Sequence, residues 1–208
     1  ALLGFAGELI ERKKVEPGED LVTDLVEVGE DDVSAGWIVG FVFTMVTGGN
    51  DTMTGMLGGS AELLTERRDQ RRLLLDHPEL LTDAVEELLR LTSPVQNLAR
   101  TTTRDIEIRG VTIPAGEKVL LLYGSANRDE RAFGDDADEF DVRRDIDKML
   151  SLGYGAHHCL GASAARLQAR VALGRLLERF PDFEVDAAAG RFAPGGFVRR
   201  YESLPFTT

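Results

Sequence analysis

Leu152-Gly-Tyr-Gly-Ala-His-His-Cys-Leu-Gly161 holds Cys159, the only cysteine in a chain of 208 residues, and sets it where a glycine-rich turn runs into an amphipathic helix. A thiol acts as a ligand or nucleophile in its thiolate form, and a helix N-terminus stabilises that anion. Gly153, Gly155 and Gly161 let a flat cofactor or a second backbone approach the sulfur closely. The spacing predicts a helix from Gly161 to Phe180, with Leu160, Ala164, Leu167 and Val171 as its apolar positions and Pro181 as its stop. A lone cysteine is most often a buried core residue, and that reading stands beside the reactive one. Zinc is disfavoured, because one cysteine and three histidines, two of them adjacent, give poor ligand geometry.

The rest of the chain bounds what such a loop can serve. With 43% hydrophobic and 29% charged residues, it can build one globular core, or one part of a larger domain. A net charge of −12 argues against nucleic acid as a partner. Trp37–Val46 is too short to span a bilayer and runs at once into Thr47-Gly-Gly-Asn-Asp51. A single cysteine excludes a disulfide framework, so a reducing compartment, the cytoplasm, is expected. The sequence starts Ala1-Leu-Leu-Gly-Phe5 without methionine, which leaves N-terminal targeting open.

Periodicity predicts helices over residues 1–14 and 21–28. A long helix follows from a cap at Asp31 or Asp32, with Val33, Trp37, Phe41 and Thr44 on one face. The polar run Gly48-Gly-Asn-Asp-Thr52 interrupts it, and the pattern resumes to about Leu64. Further helices are expected from Arg67 to Leu75 and, capped by Thr82, from Asp83 to Leu91 before Pro94. Strand-like alternation marks Arg100–Thr103, Ile106–Ile113 and Lys118–Tyr123. Residues 125–150 are acidic and show no clear period. The fold class expected is mainly α with small β-sheets.

Three constellations carry chemistry or anchor it. Asp51 and Thr52 stand in an otherwise apolar helix, where a carboxylate and a hydroxyl cost desolvation energy unless paired, wetted or used; the bland alternative is a helix end at Gly48-Gly49 and a cap at Asp51 or Thr52. Glu87 and Arg90 form an i,i+3 pair, which at a surface contributes only a few tenths of a kcal/mol. Arg100 opens a strand, where a lone arginine is ordinarily solvated. Arg67, Arg68, Arg71 and Arg72 make two i,i+4 stacks, read first as a solvated helix face.

In register, these motifs resemble the cytochrome P-450 superfamily, the haem-thiolate monooxygenases, and specifically its soluble bacterial type. The family's cysteine loop reads Phe-x-x-Gly-x-His/Arg-x-Cys-x-Gly; Gly155, His157, Cys159 and Gly161 match it, while Leu152 stands where Phe is usual. The resemblance implies that Cys159 is the metal ligand, to the iron of haem b, and that Gly49, Arg100, Leu152, Gly153, His157, Gly161 and Ala165 line the cofactor, with Arg100 and His157 at its propionates. Gly48-Gly49-Asn50-Asp51-Thr52 is similar to the oxygen-activating motif. There Gly49 would kink the helix to admit dioxygen, Thr52 would hydrogen-bond the bound oxygen and Asp51 would relay protons through water. Glu87-x-x-Arg90 looks like the family's structural pair, with Arg144 of Phe140-Asp-Val-Arg-Arg144 as its third member. Substrate contacts would come from Phe41, Met45 and Gly48, from Val95 to Leu98, and from the late turn at Phe197; most of these are apolar or small, which implies an apolar substrate.

The match runs in order from about Glu8 to Pro205, as the C-terminal portion of the family fold: a long distal helix, the Glu-x-x-Arg helix, small sheets, a meander, the cysteine loop and a final helix. Residues 1–208 are therefore expected to be the C-terminal part of one haem-thiolate monooxygenase domain whose N-terminal half is absent. The implied function is insertion of one oxygen atom of O2 into a small organic substrate. Electrons would come from NAD(P)H through a ferredoxin and ferredoxin reductase, docking at a basic patch such as Arg67–Arg72 or Arg166 and Arg170. The alternatives are a peroxygenase on the same scaffold and a truncated, non-catalytic fragment.

Overall fold

The computed structural model describes residues 1–208 and divides into two compact units, Ala1–Asn50 and Asp51–Thr208. In the first, α1 (Leu2–Val15) and α2 (Leu21–Val28) precede the start of α3 (Ala35–Glu66). Asp20 starts α2 because its carboxylate accepts from the N–H groups of Val22 and Thr23, each at 3.1 Å. The apolar positions of these helices meet in a small core of Ala6, Ile10, Ile38 and Val42, backed by Val22, Leu25 and Phe41.

Two expectations about α3 are corrected. It starts at Ala35, with Ser34 rather than Asp31 or Asp32 turned to its first turn, where the Ser34 Oγ accepts from Trp37 N–H at 3.3 Å. Helical hydrogen bonding also continues through Gly48–Thr52: the polar run interrupts the hydrophobic pattern, not the backbone. Two glycines cost a helix about 1 kcal/mol each relative to alanine, less than is needed to end a 32-residue element.

The second unit contains the remainder of α3, α4 (Arg68–Asp76), a 3-10 turn at Pro78–Leu80, and α5 (Leu81–Thr92). Thr82 does not cap α5; the helix follows directly from the 3-10 turn, and Leu80 occupies the cap position without a side-chain bond. At the other end Ser93 closes the helix in the left-handed region, φ 35°. Four antiparallel two-stranded sheets follow in pairs: β1 (Leu98–Thr101) with β4 (Lys118–Leu121), β2 (Ile106–Ile108) with β3 (Val111–Ile113), β5 (Glu184–Val185) with β8 (Phe206–Thr207), and β6 (Arg191–Phe192) with β7 (Tyr201–Ser203). Two single-turn helices, too short to show periodicity, follow β4: α6 (Tyr123–Ala126), which takes Tyr123 from the expected strand, and α7 (Glu130–Phe133), inside the stretch without a period. The final helix, α8, runs Ala162–Arg179. No helix is long and apolar enough to cross a membrane.

The core of this unit gathers Met56 and Leu64 of α3, Val85, Leu88 and Leu89 of α5, Phe140 and Val142 of the meander, Leu173 and Leu177 of α8, and Phe183. Here the expected face of α8 is reversed. Ala162, Ala169, Leu173 and Leu177 are buried, whereas Leu160, Leu167 and Val171 are 75, 52 and 55% exposed and Ala164 is exposed too. The helix is apolar on two sides, so spacing alone cannot say which side packs.

Candidate active site

The cysteine loop is shaped by its own backbone. Gly153 and Gly155 take φ of +72° and +65°, a region glycine enters without steric cost. A Cβ on Gly153 would stand 2.9 Å from the carbonyl oxygen of His157, whereas one on Gly155 would meet nothing within 4 Å. From Gly155 the chain folds into a 3-10 turn, Gly155–His157. The loop closes when Cys159 N–H donates to the Leu152 carbonyl at 2.8 Å. Gly161 is the N-cap residue of α8, and the Ala165 N–H returns to its carbonyl at 2.8 Å. Cys159 is a free, exposed thiol at this helix start, not a core residue.

Around the sulfur, Tyr154 and Leu160 are exposed, as are His157 and His158. Leu152 packs in part against the main core. Arg166, one turn into α8, is held by both oxygens of Glu86 at 2.6 and 2.8 Å. Its guanidinium is raised above its ordinary range by that hydrogen bond first, with the Glu86 charge adding to it. On β1, Arg100 is half-buried and paired in register with Val119. Its guanidinium donates to the Ala99 carbonyl at 3.0 Å and makes no ion pair with a carboxylate.

Behind the loop lies a buried charge network. Arg90 and Glu87 are each 0% exposed. Arg90 forks onto both Glu87 oxygens, Nε at 2.6 Å and Nη2 at 2.8 Å, and its remaining Nη1 donates to the carbonyls of Asn127 and Ala137 at 2.7 and 2.6 Å. The guanidinium also lies over the Phe133 ring, 4.8 Å from its centre. Arg144 reaches Glu87 at 3.1 Å through Nε and turns its other nitrogens to Asp136 and the Phe133 carbonyl. Two arginines on one glutamate, with every guanidinium direction bonded, make a buried charge group that binds α5 to the meander.

The same unit holds Asp51 and Thr52 on α3. Asp51 is exposed and faces Arg200, whose Nε lies 3.3 Å from its Oδ1. The approach is possible because Gly55, one turn along α3, carries no Cβ to collide with the Arg199 carbonyl. The late turn and the strand entry are drawn together as well. Gln96 N–H donates to the Phe197 carbonyl at 2.7 Å, Arg199 N–H to Pro94 at 2.8 Å, and Asn97 Nδ2 to Gly196 at 2.9 Å, with Val95 and Val198 bridged antiparallel. Val95, Leu98 and Phe197 thus belong to adjoining segments, and Phe197 is 55% exposed. Phe41, Met45, Gly48 and Gly49 lie on α3 within the first unit: Phe41 and Met45 are half-buried, Gly48 and Gly49 exposed.

The arginine stacks are only in part the solvated face expected: Arg68 and Arg72 are exposed, but Arg67 is half-buried. Arg71 is buried, donating to the Phe183 carbonyl and to Glu184. Arg67 reaches Glu139 at 2.6 Å, Arg68 reaches Glu184 at 2.9 Å and Arg72 reaches Asp76 at 3.2 Å. Glu139 lies 72 residues from Arg67 and Glu184 lies 113 from Arg71, so of these pairs adjacency in sequence could reveal only Arg72–Asp76. Arg200, Ser93 and Ser151 are polar residues for which motif reading gave no role, and nothing in the sequence around Asn127 announces a buried amide.

The fold and the loop together define the scaffold of a haem protein. Residues 61–189, more than half of the chain, match the family model Cytochrome P-450, and the chain belongs to that family. Cytochrome P-450 130 of Mycobacterium tuberculosis is 60% identical over 99% of this chain and 52% of its own length. The vitamin D(3) 25-hydroxylase of Pseudonocardia autotrophica is 40% identical over 99 and 52%. The structure of CYP109E1 from Bacillus megaterium in complex with testosterone superposes with a TM-score of 0.91 at 31% identity, over 99% of this chain and 57% of that one. The chain spans about half the length of the curated relatives it matches.

The side chains present fit a haem. The structure contains no group of three or more His, Cys, Asp or Glu that could hold a bare metal ion. The donor on offer is one exposed sulfur at a helix start, which suits an iron whose other ligands are supplied by a macrocycle. Gly161 leaves the space beside the Cys159 sulfur open, since even an added Cβ would stand 3.9 Å from Sγ.

Proposed function

We propose that this chain is the iron-ligating and proton-delivering part of a haem-dependent monooxygenase. In that reaction O2, two electrons and two protons convert a substrate C–H bond to C–OH and release water. Haem b supplies oxygen activation, with Cys159 as the thiolate ligand to its iron. The observation that carries this reading is the exposed Cys159 thiol at the start of α8, on a loop closed by its own backbone and backed by the Glu87–Arg90–Arg144 group.

Each remaining residue has a part. Leu152, Gly153, Gly161 and Ala165 shape the face that meets the macrocycle; Gly49 on α3 is assigned to the cofactor by its motif alone. Arg100 and His157 bind its carboxylates, for which a guanidinium without an acid partner is suited. The Thr52 hydroxyl donates a hydrogen bond on the oxygen side, and Asp51 passes protons toward it through water, its carboxylate turned by Arg200. The intact Asp51-Thr52 pair favours the dioxygen route over peroxygenase chemistry. Substrate contacts are assigned to Phe41, Met45, Gly48, Val95, Leu98 and Phe197. This set carries no fixed charge, so the substrate is small and mostly apolar, such as a terpenoid, steroid, fatty acyl or polyketide skeleton. A vitamin D hydroxylase among the relatives and a testosterone-bound structural neighbour agree with that class. Electrons reach the haem from NAD(P)H through a ferredoxin-type partner.

The deciding experiment is the carbon monoxide difference spectrum of the reduced complete protein. The red-shifted carbonyl band of a thiolate-ligated haem is expected, and Cys159→His should abolish it. A band that survives the substitution overturns the assignment. Titrating the oxidised protein with apolar and with small charged compounds tests the substrate class: a spin-state shift with the charged set alone sinks it.

A further inference from the structure

The Asn127 side chain is 1% exposed and lies just after α6, far in sequence from the cysteine loop. Both amide hydrogens and the amide oxygen are bonded. Nδ2 donates to Ser93 Oγ and to Ser151 Oγ, each at 2.8 Å, and Oδ1 accepts from Leu150 N–H at 2.8 Å. Its backbone carbonyl accepts from Arg90 Nη1 at 2.7 Å. The two hydroxyls are themselves committed: Ser93 donates to the Arg90 carbonyl at 2.7 Å and Ser151 to the Leu89 carbonyl at 2.6 Å. Both therefore present lone pairs to Asn127, and an N–H donor is the only group that satisfies them there. The amide orientation is fixed by this proton count.

From Asn127 the connections run to the sulfur in few steps. Leu150 and Ser151 begin the loop, Gly153 N–H returns to the Leu150 carbonyl at 2.9 Å, and Cys159 N–H donates to Leu152 at 2.8 Å. On the other side Arg90 is locked to Glu87. We propose that Asn127 is the positioning residue for Cys159, the amide that transmits the fixed geometry of the Glu87–Arg90 pair to the start of the cysteine loop. Asn127 never meets the iron; it sets where the thiolate stands. This rests on the haem-thiolate reading for its consequence at the iron, but not for its consequence in the loop backbone.

Asn127→Asp is nearly isosteric and replaces the two donors with an oxygen facing two oxygens. Buried groups left unpaired in this way favour local opening. In the complete protein, amide exchange followed by mass spectrometry should show residues 150–159 losing protection by about tenfold or more, while α8 beyond Ala165 and the Phe183 region stay unchanged. In the reduced, carbonyl-bound form of the same variant, the thiolate band should convert to the blue-shifted band of a lost thiolate about tenfold faster than in the parent, in line with the usual effect of removing a partner that orients a metal ligand. Ser60→Ala, which removes a hydroxyl that is fully buried and bonded to the Met56 carbonyl, is the control; it should lower stability without either change. If Asn127→Asp yields too little protein, Ser151→Ala removes one arm and should give the same pattern at smaller amplitude. Uniform loss of protection, or parental exchange and parental band stability, overturns the proposal. A parent protein without a thiolate band would refute the haem-thiolate reading, and the exchange pattern would still decide the role of Asn127.

Discussion

Thr52 and Asp51 stand side by side on α3, and substitutions separate their duties. Thr52→Ala removes one hydroxyl, so haem content should be unchanged while reducing equivalents are diverted to peroxide. Asp51→Asn should slow turnover several-fold because the amide relays protons poorly. Peroxide formed per NAD(P)H consumed reads the first, and steady-state turnover the second; tight coupling and parental rates in both variants would show that protons arrive by another route. Tyr201 offers a different measurement. Burial, with the Glu62 carboxylate next in weight, pushes its phenol up to about 12 from an ordinary 10. The folded chain therefore holds this proton more tightly than the unfolded chain. The contribution is complete below about pH 10 and is lost as pH rises from about 10 towards 12. Denaturant midpoints across that window should fall, and Tyr201→Phe should flatten the fall.

Among the elements, α5 and the meander depend on the Glu87 group. Breaking a buried ion pair leaves the partner charge uncompensated, so Glu87→Ala should cost about 3–5 kcal/mol in the denaturant unfolding of the complete protein; a loss under 1 kcal/mol would mean that Arg90 and Arg144 find other acceptors. The spacing of Glu87 and Arg90 was legible in the sequence, and so was Arg144, because a motif carried them. Asn127 was not, since its partners Ser93, Leu150 and Ser151 are 23 to 34 residues away and none follows a local period. Periodicity broke at Gly48-Gly49, whereas the resemblance implied one long distal helix, as α3 is; two glycines weaken a helix locally, but the turns on either side decide whether it persists. On α8 the apolar positions were found and their direction was not, because the helix shows apolar side chains on both faces and only its packing on α5 selects Leu173 and Leu177 for the core.

On the scale of the whole chain, much apolar surface stays exposed. Leu160 in the cysteine loop, Leu167 and Val171 on α8, and, in the first unit, Trp37, Phe43 and Val46 on α3 are all 42% exposed or more. Contiguous apolar surface on a soluble chain promotes association. The 208-residue chain should bind a hydrophobic dye strongly and self-associate in a way that added salt does not relieve. A monomeric, dye-silent chain would show that these side chains are too scattered to act as a patch. The fold class was legible from four motifs in register, and the half-length match agrees with the expected C-terminal portion. What no composition could supply is which arginines are spent on carboxylates; Arg67, Arg68, Arg71 and Arg72 are all paired, and a net charge conceals that.

Gly153 and Gly155, two residues apart in the same loop, predict opposite fates under random mutation. In a saturation library selected for haem incorporation, codon 153 should return glycine alone, because every other side chain begins with a Cβ driven against the His157 carbonyl, and backbone cannot rotate aside. Codon 155 faces open space and asks only for a left-handed backbone, so asparagine and aspartate should survive there, β-branched residues should vanish and alanine should fall between. The loop thus has one position closed to variation and one that admits a small alphabet, and a sequencing count would read the difference without a spectrum.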